Sequence, residues 1–357
     1  MPHLLAAISA HGYGHLAQTA PVLNVLREHI PDLQLTVRCG LPREVLARRI
    51  AEPFVHQAVA DDFGMVMHSA LEVDTAGSAA RYGAFHADWA RRVDGVAREL
   101  ERTAPDVILA DIPYLTLAAA ARVGIPAVAM CCLNWADIYR YFCGALPEAA
   151  RIQDDMLAAY NGAQVFLRSE PAMPMADLDN AQDIGPLAMV GRSQRAAIDE
   201  RMHLAAGERL VLVAMGGIAF RPPLENWPVV PGVRYVMQRD WHAARSDTLV
   251  LEGMDISFSD VLASCDAVLT KPGYGTFAEA ACAGVPLLYV PRVDWPEEPW
   301  LVRWLERQLP CAAVPRDELA QGGFLPRLHT LWQAPKPAPR AAEGVAQAVT
   351  ALLARLA

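Results

Sequence analysis

The chain has 357 residues, which is long for a single core and comfortable for two domains of ordinary size. Hydrophobic residues make up 53% and charged residues 20%, a globular composition that excludes wholesale disorder. The formal net charge of -9 argues against a nucleic-acid backbone as the main partner, because neutralising phosphates requires a surplus of Lys and Arg. A local basic pocket for one anion is compatible with this charge.

Cysteine usage and hydropathy bear on the compartment. The seven cysteines show no C-x-x-C spacing, and Cys131 and Cys132 fall inside an apolar run, where cysteine behaves as a small buried hydrophobe. The first residues, MPHLLAAISA, lack the positively charged start of a signal peptide, and no apolar run approaches the roughly 20 residues of a membrane span. We therefore expect a cytoplasmic protein with no transmembrane segment, and peripheral contact with a membrane surface stays open.

Short apolar runs alternate with longer helical patterns along the chain, which is typical of βαβ units around a parallel sheet. In the first half, strands are predicted at residues 4–9, 33–37, 106–110 and 127–131, and helices at 84–103 and 115–123. In the second half, strands are predicted at 210–215, 233–237, 248–252, 267–270 and 286–290. The sequence therefore predicts an α/β protein with two doubly wound, Rossmann-like domains.

The strand pattern stops in residues 191–208, a charged and polar stretch that we interpret as a linker. It separates an N-terminal domain, residues 1–190, from a C-terminal domain, residues 209–333. Residues 334–357 start with the proline-rich APKPAP and continue as a helix. One stripe of that helix is apolar, so we expect it to pack back toward the N-terminal domain. The stripe consists of Val345, Val349, Leu352, Leu353 and Leu356.

In open parallel sheets the ligand binds beyond the carboxyl ends of the strands, so the turns there are the candidate sites. The first such turn is SAHGYGHLAQTAP. Because proline is tolerated best in the first turn of a helix, Pro21 predicts a helix that begins near Thr19 and a glycine-rich loop over residues 11–16. His15 or His11 could then accept a proton from a substrate hydroxyl. The alternative is that these histidines only hydrogen-bond the loop backbone.

A metal site in this loop is the less favoured interpretation. Asp and Glu are absent from the surrounding sequence, and the loop is not the helix that i, i+4 histidine ligation uses. We therefore expect no metal and no cofactor. The remaining loop residues are placed on the acceptor side of the site, namely Gly12, Tyr13 and Gly14.

Two further turns of the first domain carry polar side chains. Asp111 follows the strand DVILA directly, where a carboxylate can act as a base or orient His15; the alternative is that it caps the next helix. Asn134 and Trp135 follow the next strand and could line an acceptor pocket. Trp135 is also spaced i, i+4 from Tyr139, a pattern more typical of core packing.

In the second domain, Gly216 and Gly217 come directly after a strand, which lets backbone N–H groups approach a diphosphate closely, with Arg221 as a possible charge partner. The predicted strand 248–252 is followed by Met254, which could border a base ring. A pair of glycines alone is a weak signal, so the other turns of this domain decide the interpretation.

The stretch TKPGYGTFAE, residues 270–279, resembles a phosphate loop in composition, but its order is wrong, because Gly-Lys-Ser/Thr comes last in a P-loop. Thr276 and Glu279 have the spacing of a capping box, which is a purely structural alternative. A helix start aimed at a ligand also offers N–H groups and a favourable dipole to an anion. Both interpretations can hold together.

The last turn is acidic. Asp294, Glu297 and Glu298 follow the predicted strand 286–290, and their oxygens suit sugar hydroxyls. The alternative is a proline-framed loop whose acids cap a helix from Pro299 onward.

Together these turns resemble a GT-B glycosyltransferase. The loop HGYGH and the turn KPGYGT are similar to the GGH loop and S-G-x-x-T-x-x-E turn of the lipid II-forming N-acetylglucosaminyltransferase family. The chain resembles most the glycosyltransferase-like N-terminal domain of L-arabinokinases, whose HG-x-GHATR, KIGYGT and NEEPFLR segments match HGYGHLAQ, KPGYGT and PEEPWLVR in order. The kinase half has no counterpart in these residues, so the resemblance implies no kinase activity.

The resemblance implies two Rossmann-like domains facing a central cleft, with a nucleotide diphosphate sugar, for example a UDP-sugar, bound mainly by the second domain. Glu279 resembles the ribose-binding glutamate, and residues 294–298 lie where the donor sugar is usually held. His15 resembles the histidine of the GH loop. Such enzymes usually need no metal, because helix dipoles and basic groups stabilise the leaving diphosphate. The expected donor-binding set is Gly216, Gly217, Arg221, Met254, Lys271, Gly273, Tyr274, Gly275, Thr276, Glu279, Asp294, Glu297 and Glu298.

The sequence thus predicts a metal-independent glycosyltransferase with an unknown acceptor, His15 or Asp111 as the base, and an inverting outcome slightly favoured. Two alternatives stay open. One is a nucleotide-sugar epimerase of the same fold, which would act on the donor alone. The other is a non-catalytic protein that binds nucleotide sugars.

Overall fold

The computed structural model describes residues 1–217, 220–237, 241, 245–250 and 256–356. The chain divides into two compact units. Unit 1 comprises Met1–His68, Val73–Leu187 and Ala342–Ala357, and unit 2 comprises Ser69–Glu72 and Ala188–Ala341.

Unit 1 is built on a seven-stranded sheet in the order β3-β2-β1-β6-β7-β8-β9. Its strands are β1 His3–Ile8, β2 Gln34–Arg38, β3 Val55–Gln57, β6 Val107–Asp111, β7 Ala127–Cys131, β8 Val165–Ser169 and β9 Ala181–Ile184, and a separate two-stranded sheet joins β4 Met67–Ser69 to β5 Glu72–Val73. All neighbours in the large sheet are parallel. The strand order reverses at the pair β1 and β6, which is where ligands bind in sheets of this kind.

The helices of unit 1 connect these strands. They are α1 Gly14–His29, α2 Arg43–Ala47, α3 Thr75–Ala87, α4 Trp89–Thr103, α5 Tyr114–Val123, α6 Trp135–Cys143, α7 Ala149–Asn161 and, from the end of the chain, α14 Glu343–Leu356. Helix α14 packs against α1 within unit 1. Val345, Val349 and Leu352 of its predicted apolar stripe are buried there.

Unit 2 is built on a six-stranded sheet in the order β12-β11-β10-β13-β14-β15. Its strands are β10 Arg209–Ala214, β11 Val233–Val236, β12 Thr248–Leu249, β13 Ala267–Thr270, β14 Leu287–Tyr289 and β15 Cys311–Ala313. Its helices are α8 Arg195–Met202, α9 Phe258–Ser264, α10 Tyr274–Ala283, α11 Glu298–Gln308, α12 Arg316–Gln321 and α13 Leu325–Gln333, with a 3-10 turn at Leu224–Asn226. This sheet is also parallel. The prediction of two doubly wound α/β units is confirmed.

Two predicted helix boundaries were wrong, and the stretch interpreted as a linker includes a helix. Helix α1 begins at Gly14 and carries Pro21 in its interior, because the buried Leu16 and Leu23 hold its apolar face in place despite the missing N–H. The helix predicted over 84–103 is two helices separated at Asp88. The predicted linker 191–208 contains helix α8.

Strands β3, β9 and β15 went unpredicted, because they lie at the sheet ends and show little apolar contrast. Strand β8 was also missed, although it is buried, lies inside the sheet and begins with the apolar run VFL. Of the predicted strand 248–252, the last two residues lie outside the described residues. In the part of the chain that the structure describes, no helix is both long and apolar enough to cross a bilayer.

Candidate functional site

A buried histidine–aspartate pair lies at the carboxyl end of the unit 1 sheet. Asp111 is the last residue of β6, opposite Ile8 of β1, and His15 lies in the first turn of α1. His15 Nδ1 and Asp111 Oδ1 are 2.8 Å apart, and the Thr19 hydroxyl donates to Asp111 Oδ2 at 2.9 Å. A carboxylate on Nδ1 fixes the ring orientation and leaves Nε2 as the nitrogen that can accept a proton.

The charge of Asp111 makes this histidine a strong base. Burial alone lowers the pKa of His15, whose exposure is 5%, but Asp111 and then Cys131 outweigh burial and raise that pKa well above 6.5. The Asp111 side chain is completely buried, so the pair interacts with little solvent screening. A general base of this kind is most effective at pH values where the imidazole is neutral.

Cys131, at the end of β7, is a third member of this cluster that the sequence did not predict. Its Sγ lies 3.7 Å from His15 Nδ1 and accepts a hydrogen bond from Gln18 Nε2 at 3.6 Å. The three side chains His15, Asp111 and Cys131 form a group that could hold a metal ion. The separation of 2.8 Å between Nδ1 and Oδ1 is that of a hydrogen bond, and we interpret the cluster in that way.

A second buried carboxylate, Asp62, lies beside the same histidine. It accepts hydrogen bonds from the Ser9 hydroxyl at 2.9 Å and from Trp135 Nε1 at 2.8 Å. Burial raises the pKa of Asp62 to about 6, while His15 and these two donors lower it. The Trp135 ring lies 5.6 Å from the His15 ring and 5.2 Å from the His11 ring, centroid to centroid. Trp135 therefore forms a wall of the cluster, held in place by Asp62.

The residues predicted for the acceptor side lie in different surroundings. Asn134 is fully buried and caps α6 by accepting from the Asp137 backbone N–H at 2.7 Å. Trp135 is also fully buried, whereas Tyr13 is 40% exposed. Gly12 has a φ of 78°, a left-handed conformation that favours glycine, and Gly14 is the first residue of α1. Of this set, Tyr13 and the glycines beside it are the accessible ones.

In unit 2, three glycine-rich or basic turns follow the neighbouring strands β10, β13 and β14. Ala214 of β10 is opposite Thr270 of β13, which is opposite Tyr289 of β14, so the turns after these strands are adjacent. Gly216 has a φ of 79°, and a Cβ placed on it would lie 3.3 Å from Lys271 Cε and 3.6 Å from Nζ. A Cβ on Gly273 would lie 3.8 Å from the same ammonium nitrogen. The Lys271 ammonium therefore lies against both glycine turns.

Arg292, from the turn after β14, is the second cation of this region. Its guanidinium stacks on Trp295 at 4.0 Å from the ring centroid. Its Nε is buried without a hydrogen-bond partner among the residues the structure describes. Burial lowers the pKa of Arg292 to about 10, against the opposing effect of Glu297 and Glu298. We call Lys271, Arg292 and the glycine turns at 216 and 273 the cationic pocket.

Two acids of the predicted set border this pocket. Glu298 accepts from the Arg292 backbone N–H at 2.9 Å, and Glu297 accepts from Trp295 Nε1 at 2.8 Å. Burial raises the pKa of Glu298. Asp294 is exposed, with a φ of 50°. Glu297 and Glu298 are thus committed to hold the Arg292 turn, a role that the sequence did not suggest.

Helix α10 begins at this pocket, and the predicted capping box was wrong. The helix starts at Tyr274 with Gly273 as its N-cap, so Thr276 lies within the first turn and does not cap it. Gly275 lies between these two residues in the same turn. Because Gly273 has no side chain, no N-cap side chain accepts from the first N–H groups of this helix. Glu279, a further turn along, is 1% exposed.

The remaining predicted donor residues differ in placement. Gly217 is exposed beside Gly216. The guanidinium of Arg221 forms a salt bridge with Glu225, and its Nε donates to the Trp241 carbonyl at 2.6 Å. The cation next to Gly216 is Lys271 and not Arg221. Met254 lies outside the described residues.

Sequence reasoning missed Arg292, Asp62, Thr19 and Cys131. Arg292 stands three residues after the end of β14, a correctly predicted strand, so its position was a usable signal. Asp62 belongs to a long irregular segment between β3 and β4, and nothing in the sequence marks its approach to His15. Thr19 and Cys131 were hidden because α1 was expected to start later and the cysteine reads as an apolar residue.

No protein-family model matches the chain. A curated relative, L-arabinokinase of Arabidopsis thaliana, is 25% identical over 340 residues, which cover 92% of this chain and 32% of that protein. The chain thus spans about a third of the length of this relative. This similarity confirms the resemblance to L-arabinokinases that the motifs indicate.

Solved structures resemble the whole chain. The glycosyltransferase SnogD from Streptomyces nogalater is 20% identical with a TM-score of 0.58, and the coverage is 100% of both chains. Arabidopsis thaliana UGT89C1, complexed with UDP-L-rhamnose, is 15% identical with a TM-score of 0.60, and the coverage is 99% of both chains. A glycotransferase of kitacinnamycin is 18% identical with a TM-score of 0.64, covering 99% of this chain and 95% of that one. The chain has the GT-B fold of these glycosyltransferases.

Proposed function

We propose that the protein is a glycosyltransferase that moves a sugar from a nucleoside diphosphate donor to a hydroxyl group of an acceptor. The observation that carries this proposal is the cationic pocket at the carboxyl ends of β10, β13 and β14. Two basic side chains lie there beside glycine turns and a helix start, an arrangement that favours a diphosphate. The GT-B fold and the UDP-L-rhamnose bound to a structural relative support the same ligand class.

In this proposal unit 2 binds the donor. The N–H groups of residues 216 and 217 and of the first turn of α10 face the diphosphate, and Lys271 and Arg292 neutralise it. Glu279 binds the ribose hydroxyls, and the segment 294–298 lies near the sugar. Arg221 is left out, because its guanidinium is already paired with Glu225. These cations stabilise the diphosphate as it leaves, which is the role that a metal ion plays in other transferases.

Unit 1 supplies the base. His15 Nε2 takes the proton of the acceptor hydroxyl while that oxygen attacks the anomeric carbon and the bond to the diphosphate breaks. The positive charge that develops on the imidazole is stabilised by Asp111 on Nδ1. Direct attack by an activated hydroxyl inverts the anomeric configuration. All seven cysteines carry free thiols, which suits a reducing compartment, and we propose the cytoplasm.

A thermal-shift panel of UDP-, GDP- and dTDP-sugars tests the donor class. A ligand at about 100 times its dissociation constant adds roughly 2.7 kcal/mol of stability, which gives a clear rise in Tm. The stabilising donor is then incubated with and without an acceptor library, and the products are followed by NMR. Release of nucleoside diphosphate that depends on an acceptor supports transfer. A new sugar nucleotide formed from donor alone would show an epimerase instead, and binding without any turnover would show a binding protein.

A further inference from the structure

Lys271 is a chemically exceptional residue in this chain. The sequence has 31 Lys and Arg residues, and only Lys271 and Lys336 are lysines. An arginine stays charged in every protein environment, whereas a lysine can lose its proton when it is desolvated. The pocket therefore pairs a permanent cation, Arg292, with one of the few basic side chains of the chain that can be neutral.

The surroundings of Lys271 disfavour its charge in the unliganded protein. Its side chain lies against Gly216 and Gly273, as described above, and no described residue forms a hydrogen bond or ion pair with its ammonium group. The charged groups that face it are Arg292, after β14, and Glu297 and Glu298, at the start of α11. Burial is the main cause that lowers the pKa of Lys271 to about 7, and Arg292 acts in the same direction, while the two glutamates oppose this shift. Both acids are already engaged with the Trp295 and Arg292 N–H groups.

We propose that Lys271 takes up a proton from solvent when a nucleoside diphosphate binds in the cationic pocket, and keeps it until the diphosphate leaves. The Nζ lone pair accepts the proton, and the phosphate oxygens supply hydrogen-bond acceptors and further negative charge for the ammonium group. Before the diphosphate binds, the pocket holds one full cation, Arg292, which stacks on Trp295. Binding of the ligand creates the second cation by protonating Lys271. This inference rests on the proposed function, since it requires a nucleoside diphosphate in this pocket.

Proton uptake by Lys271 makes the affinity for the diphosphate depend on pH. Well below pH 7 Lys271 is already protonated, so diphosphate binding causes little proton uptake by this side chain and the lysine imposes no cost on affinity. Above pH 7 the proton must be acquired on binding, so affinity falls by up to about tenfold per pH unit until the pKa of the bound state is reached. If binding raises the pKa from about 7 to about 9, the protonated fraction at pH 8 changes from about 0.1 to about 0.9, an uptake of about 0.8 proton.

The small number of lysines makes the test direct. Protein labelled with 13C at lysine Cε gives two lysine signals, and Lys271→Arg and Lys336→Arg assign them. We expect the Lys271 signal to titrate with a midpoint near 7, and to move up by at least one pH unit when UDP is saturating. Calorimetry of UDP binding at pH 8, in two buffers of different ionisation enthalpy, measures the proton uptake itself.

The variants separate this inference from the proposed function. Lys271→Arg should bind UDP with no proton uptake, and Lys336→Arg, at an exposed position in the APKPAP segment, should behave as the wild type. Lys271→Met replaces the arginine variant if the latter does not fold. A wild type that binds UDP without proton uptake, or an unliganded midpoint near 10.5, overturns the inference and leaves the donor site intact. A wild type that binds none of UDP, GDP and dTDP overturns the donor site and the inference together.

Discussion

The role of His15 as a base depends on the buried charge of Asp111, and Asp111→Asn removes that charge while keeping the shape of the side chain. The asparagine oxygen can accept from His15 Nδ1, which is 2.8 Å from Oδ1, and its amide can donate to the Thr19 hydroxyl, which is 2.9 Å from Oδ2. With the carboxylate gone, burial is left as the dominant influence on His15 and its pKa should fall below 6.5.

The expected loss of activity is large. A positioned base contributes about 10²- to 10⁴-fold to the rate, or roughly 2.7 to 5.5 kcal/mol of barrier. Asp111→Asn should therefore slow release of nucleoside diphosphate by that factor at saturating donor, while the dissociation constant of the donor stays within about twofold. In the wild type the rate should rise with pH until the raised pKa of His15 is passed, and the variant should reach its plateau at lower pH.

Asp111→Asn also removes the stabilisation that the His15–Asp111 ion pair gives to the folded state, and this stabilisation depends on pH. Because the pKa of His15 is raised on folding, the stabilisation by the ion pair is full below the unfolded value of about 6.5 and is lost as the pH rises through the folded value.

Thr19→Val is the matched control for the loss of activity. It removes one hydrogen bond to Asp111 but keeps the charge, and it should slow the reaction by less than tenfold. An Asp111→Asn enzyme with the wild-type rate and pH profile would refute this reasoning.

Three further substitutions test other parts of the account. Gly216→Ala should cost about 1 to 3 kcal/mol of stability and weaken UDP binding at least tenfold, because residue 216 has a φ of 79° and the new Cβ would contact Lys271. Thermal melts measure the loss of stability, and calorimetry measures the loss of affinity. An unchanged dissociation constant would contradict the placement of this turn beside the diphosphate. Glu279→Gln should weaken UDP binding about tenfold or more, since a hydrogen bond to a charged group is worth roughly 1.5 to 3 kcal/mol, whereas Glu306→Gln on the exposed face of α11 should not. Burial raises the pKa of Asp62 from 3.8 to about 6, so the stability of the wild type falls as the pH rises between these values. In urea unfolding, Asp62→Asn should gain about 2 kcal/mol of stability relative to the wild type between pH 4.5 and pH 7. A difference in stability that does not change with pH would contradict this assignment.

The sequence predicted the architecture well, because buried parallel strands are nearly continuous apolar runs. β6 and β13 were placed within a residue of their observed ends, and with them the positions of Asp111 and Lys271. The rule that sites follow the strands then brought the right turns together. Short strands such as β15, whose residues are only partly buried, carry no such run and were missed.

Predictions of helix starts, caps and charge partners from neighbouring residues failed where contacts with distant parts of the chain determine the structure. Pro21 predicted a later helix start, yet the buried face of α1 extends the helix back to Gly14 and places His15 on it. Thr276 and Glu279 matched a capping box, yet Gly273 is the cap. Arg221 stood at the right distance from Gly216 along the chain, but Glu225, one turn further on, pairs with it. The approach of Asp62 and Cys131 to His15 depends on tertiary structure alone.

The most direct test of the central claim is calorimetric titration of UDP into the wild type, Arg292→Gln and Arg221→Gln. Arg292 has a buried Nε without a partner among the described residues, whereas Arg221 is already paired, so the two arginines should respond differently. We predict that Arg292→Gln raises the dissociation constant by about 10- to 150-fold, the equivalent of roughly 1.5 to 3 kcal/mol, and that Arg221→Gln leaves it within about twofold. Equal effects of the two substitutions, or no binding of UDP, GDP or dTDP to the wild type, would contradict a diphosphate site in the cationic pocket.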